Sequence, residues 1–375
     1  MNAPVPGCGA VVGGLGEAGV LRVLERRFAT VPAAGDWPEG TVGPGDDAAV
    51  VAAPDGRFVI TTDAMAQDRD FRLRWPAEAS RRGARADFAA GHATGWKAAA
   101  QNLSDVNAMG ATPTGILLAL TMPGRTPVAW VDGLAAGIAG AVRHLGARDC
   151  RVVGGDLGSD DRITLAITAT GDLGGRPPVR RTLPRGVPAD RPVDLVLCGH
   201  AGWSAAGLAV LDTPRAELLE RLGAGGTGSS AAPAPGPGVH RLAALAAGRQ
   251  WRPRPVLGSG RVAARAGALA MMDVSDGVLK DAGRLAAANG RRVELDPEWI
   301  RAEAAVLEPL ARALGADAGD WVAAGGEDYG LLAVLPAGTP PPAGFRRIGR
   351  LLLGSPGAPD GVTGAPAGGG GWDHF

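Results

Sequence analysis

Six times along the chain a short apolar run meets an aspartate or glutamate set beside glycine, serine or threonine. The segments are Gly43-Pro44-Gly45-Asp46-Asp47, Thr61-Thr62-Asp63, Asn102-Leu103-Ser104-Asp105, Gly154-Gly155-Asp156, Asp273-Val274-Ser275-Asp276-Gly277 and Gly325-Gly326-Glu327-Asp328. Any one of them is ordinary turn chemistry, since Asp beside Gly is the commonest turn signature. Six in one chain exceed what turns require. Small neighbours let backbone amides approach a ligand, and junctions at the ends of strands are where sites are built on a rigid scaffold. Such positions suit phosphates, yet carboxylates repel phosphates. Segments converging on a phosphate-rich ligand therefore need cations between them, and hard oxygen donors favour several Mg²⁺ ions. Asp273 sharpens the point, because its neighbours Met271, Met272 and Val274 are apolar and an uncompensated carboxylate there would cost several kcal/mol. Ser275 or Asp276 could instead cap the helix that follows.

The spacing predicts a mixed α/β chain. Ala48–Ala53 and Arg57–Thr62 read as paired strands around a Pro54-Asp55-Gly56 turn. Residues 95–109 have helical spacing, 115–121 read as a strand and 128–145 as a helix. A strand at 151–153 has 162–170 as its partner. A second group begins near 193, so a boundary near 180 is expected, with domains 1–180 and 181–375. In it 194–198 is a strand, 204–222 a helix, 267–274 a strand, 276–289 a helix closed by Gly290, 291–295 a strand and 302–314 a helix, before strands at 329–335 and 346–352. Residues 223–238 are Gly/Ser/Pro/Ala-rich and read as a flexible insertion. The tail ends in Gly-Trp-Asp-His-Phe, an aromatic terminus suited to docking.

Composition excludes several classes of function. The 375 residues are 46% hydrophobic, enough for two cores, and 38 basic side chains balance 38 acidic ones, so no bulk field favours nucleic acid or a membrane. The three cysteines, Cys8, Cys150 and Cys198, form no CxxC pair, which fits a reducing, cytoplasmic compartment. The start of the chain lacks a basic segment followed by an apolar one, and no run is suited to spanning a bilayer. Lys97 and Lys280 are the only lysines, and neither lies in a GxxxxGK[ST] phosphate loop. The five histidines show no zinc spacing.

In order along the chain, Gly16-Glu17 near the start, GPGDDAAVV (43–51), TTD (61–63), WKAAAQNLSDVNAMGATP (96–113), VVGGD (152–156), GDLGGRPPVRR (171–181), GHAGWSAAGLAVL (199–211), MMDVSDGVLKD (271–281), GGEDY (325–329) and GWDHF (371–375) resemble the thiamine-monophosphate kinases. These belong to a superfamily with aminoimidazole ribonucleotide synthetase, selenophosphate synthetase and a hydrogenase maturation protein. The resemblance implies an aminoimidazole ribonucleotide synthetase-like fold, with an N-terminal sheet that pairs with a second subunit in a barrel-like homodimer core and a C-terminal α/β domain over the nucleotide. It implies Mg²⁺ held by Asp46, Asp47, Thr61, Thr62, Asp63, Asp105, Asp156, Asp273 and Asp276. It implies ATP contacts from Gly154, Gly155, Asp156, Arg181 and Ser275, with Arg180 or Arg185 as alternatives to Arg181. Glu327 and Trp372 would hold the thiamine part of the substrate, and Asp105, Asp276 and Arg181 would act in catalysis. The implied reaction is transfer of the γ-phosphoryl group of ATP to thiamine monophosphate.

One position departs from that pattern. The family carries a histidine against the substrate shortly after TTD, and Asp70 stands there in Ala66-Gln67-Asp68-Arg69-Asp70-Phe71. An acceptor replaces a donor beside a phosphate. The alternatives are a relative with another acceptor, an ATP-dependent synthetase, or a nucleotide-binding regulatory protein.

Overall fold

The structure, a computed structural model, describes residues 10–29, 53–188, 191–222, 237–353 and 362–364. Asp46, Asp47, the first arm of the 48–62 hairpin, residues 223–236 and the terminal pentapeptide with Trp372 lie outside them. The chain forms two compact units. One comprises residues 1–75, 80–106 and 111–176; the other comprises 76–79, 107–110 and 177–375.

The first unit holds helix α1 (Val12–Phe28), strand β1 (Val59–Ala66), helix α2 (Ala84–Ala108), strand β2 (Thr112–Met122), helix α3 (Val128–His144) and strands β3 (Arg151–Ser159) and β4 (Thr164–Asp172). Its sheet runs β1-β4-β2-β3, antiparallel except for β2 beside β3. The strand expected at 162–170 is thus β4, but it pairs with β1 and β2 rather than with β3. The parallel pair is joined through α3, as a parallel pair must be joined by a crossover. Alternation divides the sheet into two faces. Met65, Ile116, Leu118, Leu120, Leu165 and Ile167 are buried on one face, whereas Ile60, Thr62, Ala64, Leu117 and Ala119 are exposed on the other.

Helices α2 and α3 meet backbone to backbone. Both carry glycines four residues apart, Gly91 and Gly95 on α2 and Gly133 and Gly137 on α3. A Cβ at Gly91 or Gly95 would strike the carbonyl of Trp130 or Leu134, and one at Gly133 or Gly137 the carbonyl of Phe88 or His92. Arg27 on α1 ties that helix to α3 through two 2.6 Å hydrogen bonds to Asp132. Burial opposes ionisation of Asp132, but Arg27 and Arg26 outweigh it and draw its pKa down.

The second unit holds strand β5 (Val193–Cys198), helices α4 (Trp203–Asp212), α5 (Arg215–Arg221), α6 (Pro237–Trp251) and α7 (Ser259–Arg265), strand β6 (Ala270–Val274), helix α8 (Val278–Ala287), strand β7 (Arg291–Leu295), helices α9 (Pro297–Leu314) and α10 (Ala318–Ala324), and strands β8 (Gly330–Pro336), β9 (Phe345–Leu353) and β10 (Val362–Thr363). The sheet order is β10-β7-β9-β5-β8-β6. The single helix expected at 204–222 is broken at Thr213-Pro214, since Pro214 supplies no N–H and disfavours a helical residue before it. Pro237 and Gly238, read as the end of the insertion, open α6 instead.

Candidate active site

In the first unit, strand β1 presents Thr61 and Asp63 toward α2. The Thr61 hydroxyl donates to Asp105 Oδ2 at 2.7 Å, and the Asp63 amide donates to Asn102 Oδ1 at 3.2 Å. Asn102 and Ser104 are buried, and the Asn102 side chain donates to the Ala98 carbonyl at 2.9 Å within the helix, while Asp105 remains partly exposed. Thr62 points to the opposite face, where its hydroxyl donates to the Ile167 carbonyl and accepts from Thr168. Asp156 pairs with Ala119 across β2 and β3, on the same exposed face as Thr62. The TTD motif therefore serves two faces of one sheet. Thr61, Asp63 and Asp105 gather on one, and Thr62 and Asp156 lie on the other, on opposite edge strands.

The local setting of two motifs also differs from the expectation. TTD and GGD do not end apolar runs but sit within strands β1 and β3. Gly155 is required by sheet packing, because a Cβ there would strike the carbonyl of Leu118, its partner across β2 and β3 just past the register shift at Ile116/Leu117. Asp70 has a structural task as well: its Oδ2 accepts the Ala66 amide at 2.7 Å and closes the turn after β1, where Asp68 adopts φ 66°. The buried Lys97 donates to the Asp70 carbonyl at 3.3 Å.

In the second unit, the SDG and GGEDY segments are locked together through their backbones. Glu327 N–H donates to the Ser275 carbonyl at 2.8 Å, and Tyr329 N–H donates to the Val274 carbonyl at 3.1 Å. Gly277, at φ 114°, and Gly326 allow this approach, since a Cβ at either would lie 2.5 Å from the Ala324 or Ser275 carbonyl. Glu327 at φ 66° and Tyr329 at φ 52° occupy the left-handed region, which costs a side-chain-bearing residue about 1 kcal/mol or more and concentrates at functional sites. Helix α8 begins at Val278 with Gly277 as its N-cap and no side-chain cap, so neither Ser275 nor Asp276 caps it. Asp276 Oδ2 instead accepts from Arg284 at 2.6 Å with Lys280 at 3.6 Å, and Asp273 is buried on β6.

Asp328 closes the start of α4, accepting the Ser204 and Trp203 amides at 2.9 and 3.1 Å. Burial pushes its pKa up to about 7 against the pull of these donors and of Arg249. An unfolded chain ionises this group near its ordinary value of about 4. The fold therefore favours the protonated form, and this contribution to stability falls as pH rises from about 4 through 7. Denaturant unfolding of wild type and Asp328→Asn across that range should show the wild-type advantage shrinking with pH. A difference independent of pH would contradict it.

Arg180, Arg181 and Arg185 are exposed. The backbone beside them is anchored, with the Arg180 carbonyl accepting the Met271 amide at 3.0 Å and the Arg181 carbonyl accepting from Asn289 at 3.0 Å. Two further residues complete the second unit's cluster, Ser204 of the 199–211 segment and Gln250, which lies in no motif: Gln250 donates to Glu327 Oε2 at 2.8 Å and accepts from Ser204. The only sequence signal of Gln250 is polarity at a position the helical spacing would bury. Among the described residues no three His, Cys, Asp or Glu side chains gather as one metal-holding group. The Thr61/Asp105 pair nonetheless fits Mg²⁺, which is ordinarily held by one or two carboxylates, water and substrate phosphates. Among the described residues no helix is long and apolar enough to cross a membrane.

Residues 45–173 match the family model described as AIR synthase related protein, N-terminal domain. Over 313 residues the chain is 38% identical to a thiamine-monophosphate kinase of Mycobacterium tuberculosis, across 84% of this chain and 80% of that relative. The chain belongs to the thiamine-monophosphate kinase family. A Corynebacterium glutamicum thiamine-monophosphate kinase is 36% identical over 92% of this chain and 88% of its own length. The fold agrees with that of a thiamine-monophosphate kinase from Stenotrophomonas maltophilia, with a TM-score of 0.62 and 25% identity over 93% of this chain and 96% of that one. A related solved structure, complexed with AMPPCP and TMP, has a TM-score of 0.62 at 24% identity over 96% of this chain and 98% of that one. As a member of the thiamine-monophosphate kinase family, with an aminoimidazole ribonucleotide synthetase-like fold, the chain is a kinase.

Proposed function

We propose that this kinase transfers the γ-phosphoryl group of ATP in line to the phosphate of thiamine monophosphate, giving thiamine diphosphate and ADP. The observation that carries the reading is the meeting of Thr61 and Asp63 on β1 with Asp105 and Asn102 on α2, a set of hard oxygen donors in a chain of this family. Magnesium would be held by Asp105, Thr61 and Asp63 on one face, by Thr62 and Asp156 on the other, and by Asp273 and Asp276 in the second unit, with Asp46 and Asp47 added by the family pattern. Bound there, it supplies neutralisation of phosphate charge. Gly154, Gly155 and Ser275 would approach the nucleotide phosphates, with Arg181 as the guanidinium that steadies them. Glu327 and Trp372 would take the thiamine moiety.

The chemistry asks little else of the protein. The acceptor phosphate has a second pKa near ~6, so it is an anionic nucleophile already and needs no general base. Positioning and charge stabilisation carry the rate. Asp70 has a task within its own turn and is compatible with this reaction, the substrate phosphate being neutralised by other groups. We further propose a cytoplasmic homodimer in which a second copy covers the apolar part of the exposed face of the first sheet, where Ile60 is 61% and Leu117 40% exposed, with magnesium held by Thr62 and Asp156 at the border of that interface. Incubation with Mg-ATP and thiamine monophosphate, followed by separation of products, tests the reaction. Thiamine diphosphate and ADP in equal amounts are expected. Release of inorganic phosphate without a diphosphate product would mark a synthetase, and nucleotide binding without turnover a regulatory protein; either overturns the proposal.

A further inference from the structure

We propose that Gln250 is a positioning residue that orients Glu327 toward a cationic ring of the substrate, with Ser204 fixing the sense of its amide. This rests on the phosphotransfer reading above and names how its acceptor is selected. Gln250 and Ser204 are 3% and 1% exposed, so neither side chain exchanges its partners for water at little cost. Gln250 Nε2 donates to Glu327 Oε2 at 2.8 Å, and the Ser204 hydroxyl donates to Gln250 Oε1. The order of donors has one solution. An ionised carboxylate only accepts, so the amide must turn its NH₂ to Glu327; a hydroxyl can donate or accept, so Ser204 adapts to the oxygen left over.

The helices bring this about through a glycine. At Gly207 on α4 a Cβ would strike the Ala246 carbonyl on α6, and its absence lets α6 close down until Gln250 reaches Ser204, one turn away on α4. Glu327 is thereby held at two ends: its amide is tied to Ser275 and its carboxylate to Gln250. The strained backbone at φ 66° fixes the direction in which the side chain leaves the loop. A neutral donor orients the carboxylate without cancelling its charge, which Arg or Lys in the same place would do. A partner suited to a carboxylate fixed in this way is a permanently charged heterocycle, such as a thiazolium, that has no acidic proton to give up.

Steady-state kinetics of the full chain with Mg-ATP and thiamine monophosphate test this. Gln250→Met keeps length and burial but removes the donor. It should raise KM for thiamine monophosphate about ten-fold, with kcat and KM for ATP within about two-fold of wild type. Glu327→Gln should raise the same KM at least as much, and the double variant should be no worse than Glu327→Gln alone, because the two residues act through one contact. If Glu327→Gln raises KM and Gln250→Met does not, the positioning role is overturned and the phosphotransfer reading stands. If Glu327→Gln leaves KM unchanged while the diphosphate is still made, the placing of the ring at Glu327 fails and this inference with it. Should Gln250→Met unfold, Ser204→Ala carries the test: a KM raised about three-fold supports the relay, and an unchanged KM overturns it.

Discussion

Asp105→Asn is expected to lower kcat for phosphotransfer by about 10²–10³, the usual cost of removing one electrostatic contributor to a charged transition state. The substitution is nearly isosteric. Asparagine Oδ1 can still accept the Thr61 hydroxyl that Asp105 takes at 2.7 Å, and the two residues have similar helix propensities, so α2 should keep its fold. What disappears is the negative charge that attracts a divalent cation. The Mg²⁺ concentration for half-maximal rate should therefore rise in the same variant, while the Tm stays within about 2 °C of wild type. Wild-type kcat with an unchanged Mg²⁺ requirement would remove Asp105 from the site.

A loss of fold rather than of chemistry should follow from Gly95→Val. At this point α2 meets the Leu134 carbonyl of α3 with no room for a Cβ, and the same holds at Gly91, Gly133 and Gly137. Valine would force the helices apart along the seam and break the burial of residues such as Leu134 and Ile138, which are fully buried. Overpacking against backbone cannot be relieved by turning a rotamer, and a cost of at least about 3 kcal/mol is expected. Thermal unfolding should show a Tm lower by about 10 °C. The control is Gly248→Val on α6, where a Cβ meets nothing within 4 Å. There valine has the better helix propensity, so the Tm should hold or rise slightly. Equal Tm values for the two variants would mean that the seam is not closely packed.

The parts of this fold that were legible in the sequence are those where periodicity acts alone. The strand at 291–295 and the helix from Val128 follow directly from the spacing of their apolar residues. Helix α1 is masked in the sequence because glycines at 13, 14 and 16 interrupt its apolar spacing, and the helix passes through them with a kink at Gly16, φ 66°. The first turns of α2 were missed for a related reason: Gly91 looks like a breaker until α3 is seen lying against it. Strand order was out of reach, since nothing local to 164–172 reveals that it is inserted between β1 and β2. The acidic motifs were visible, but their division between two faces of one sheet depends on register, which a one-residue slip would invert. Gln250 belongs to no motif, and Ser204 belongs to one that gave it no role; both became visible only through the chain of contacts from Ser204 through Gln250 to Glu327.

Tyr329 is the chain's one tyrosine, and it is buried two residues from Glu327 with its amide tied to the SDG segment. Isotopic labelling of that amino acid alone would thus give a single ring resonance set in the magnetic resonance spectrum of the whole protein. Nature has placed one distinguishable nucleus group where the two motif loops meet, so titrations of nucleotide or acceptor can be followed there without assigning anything else.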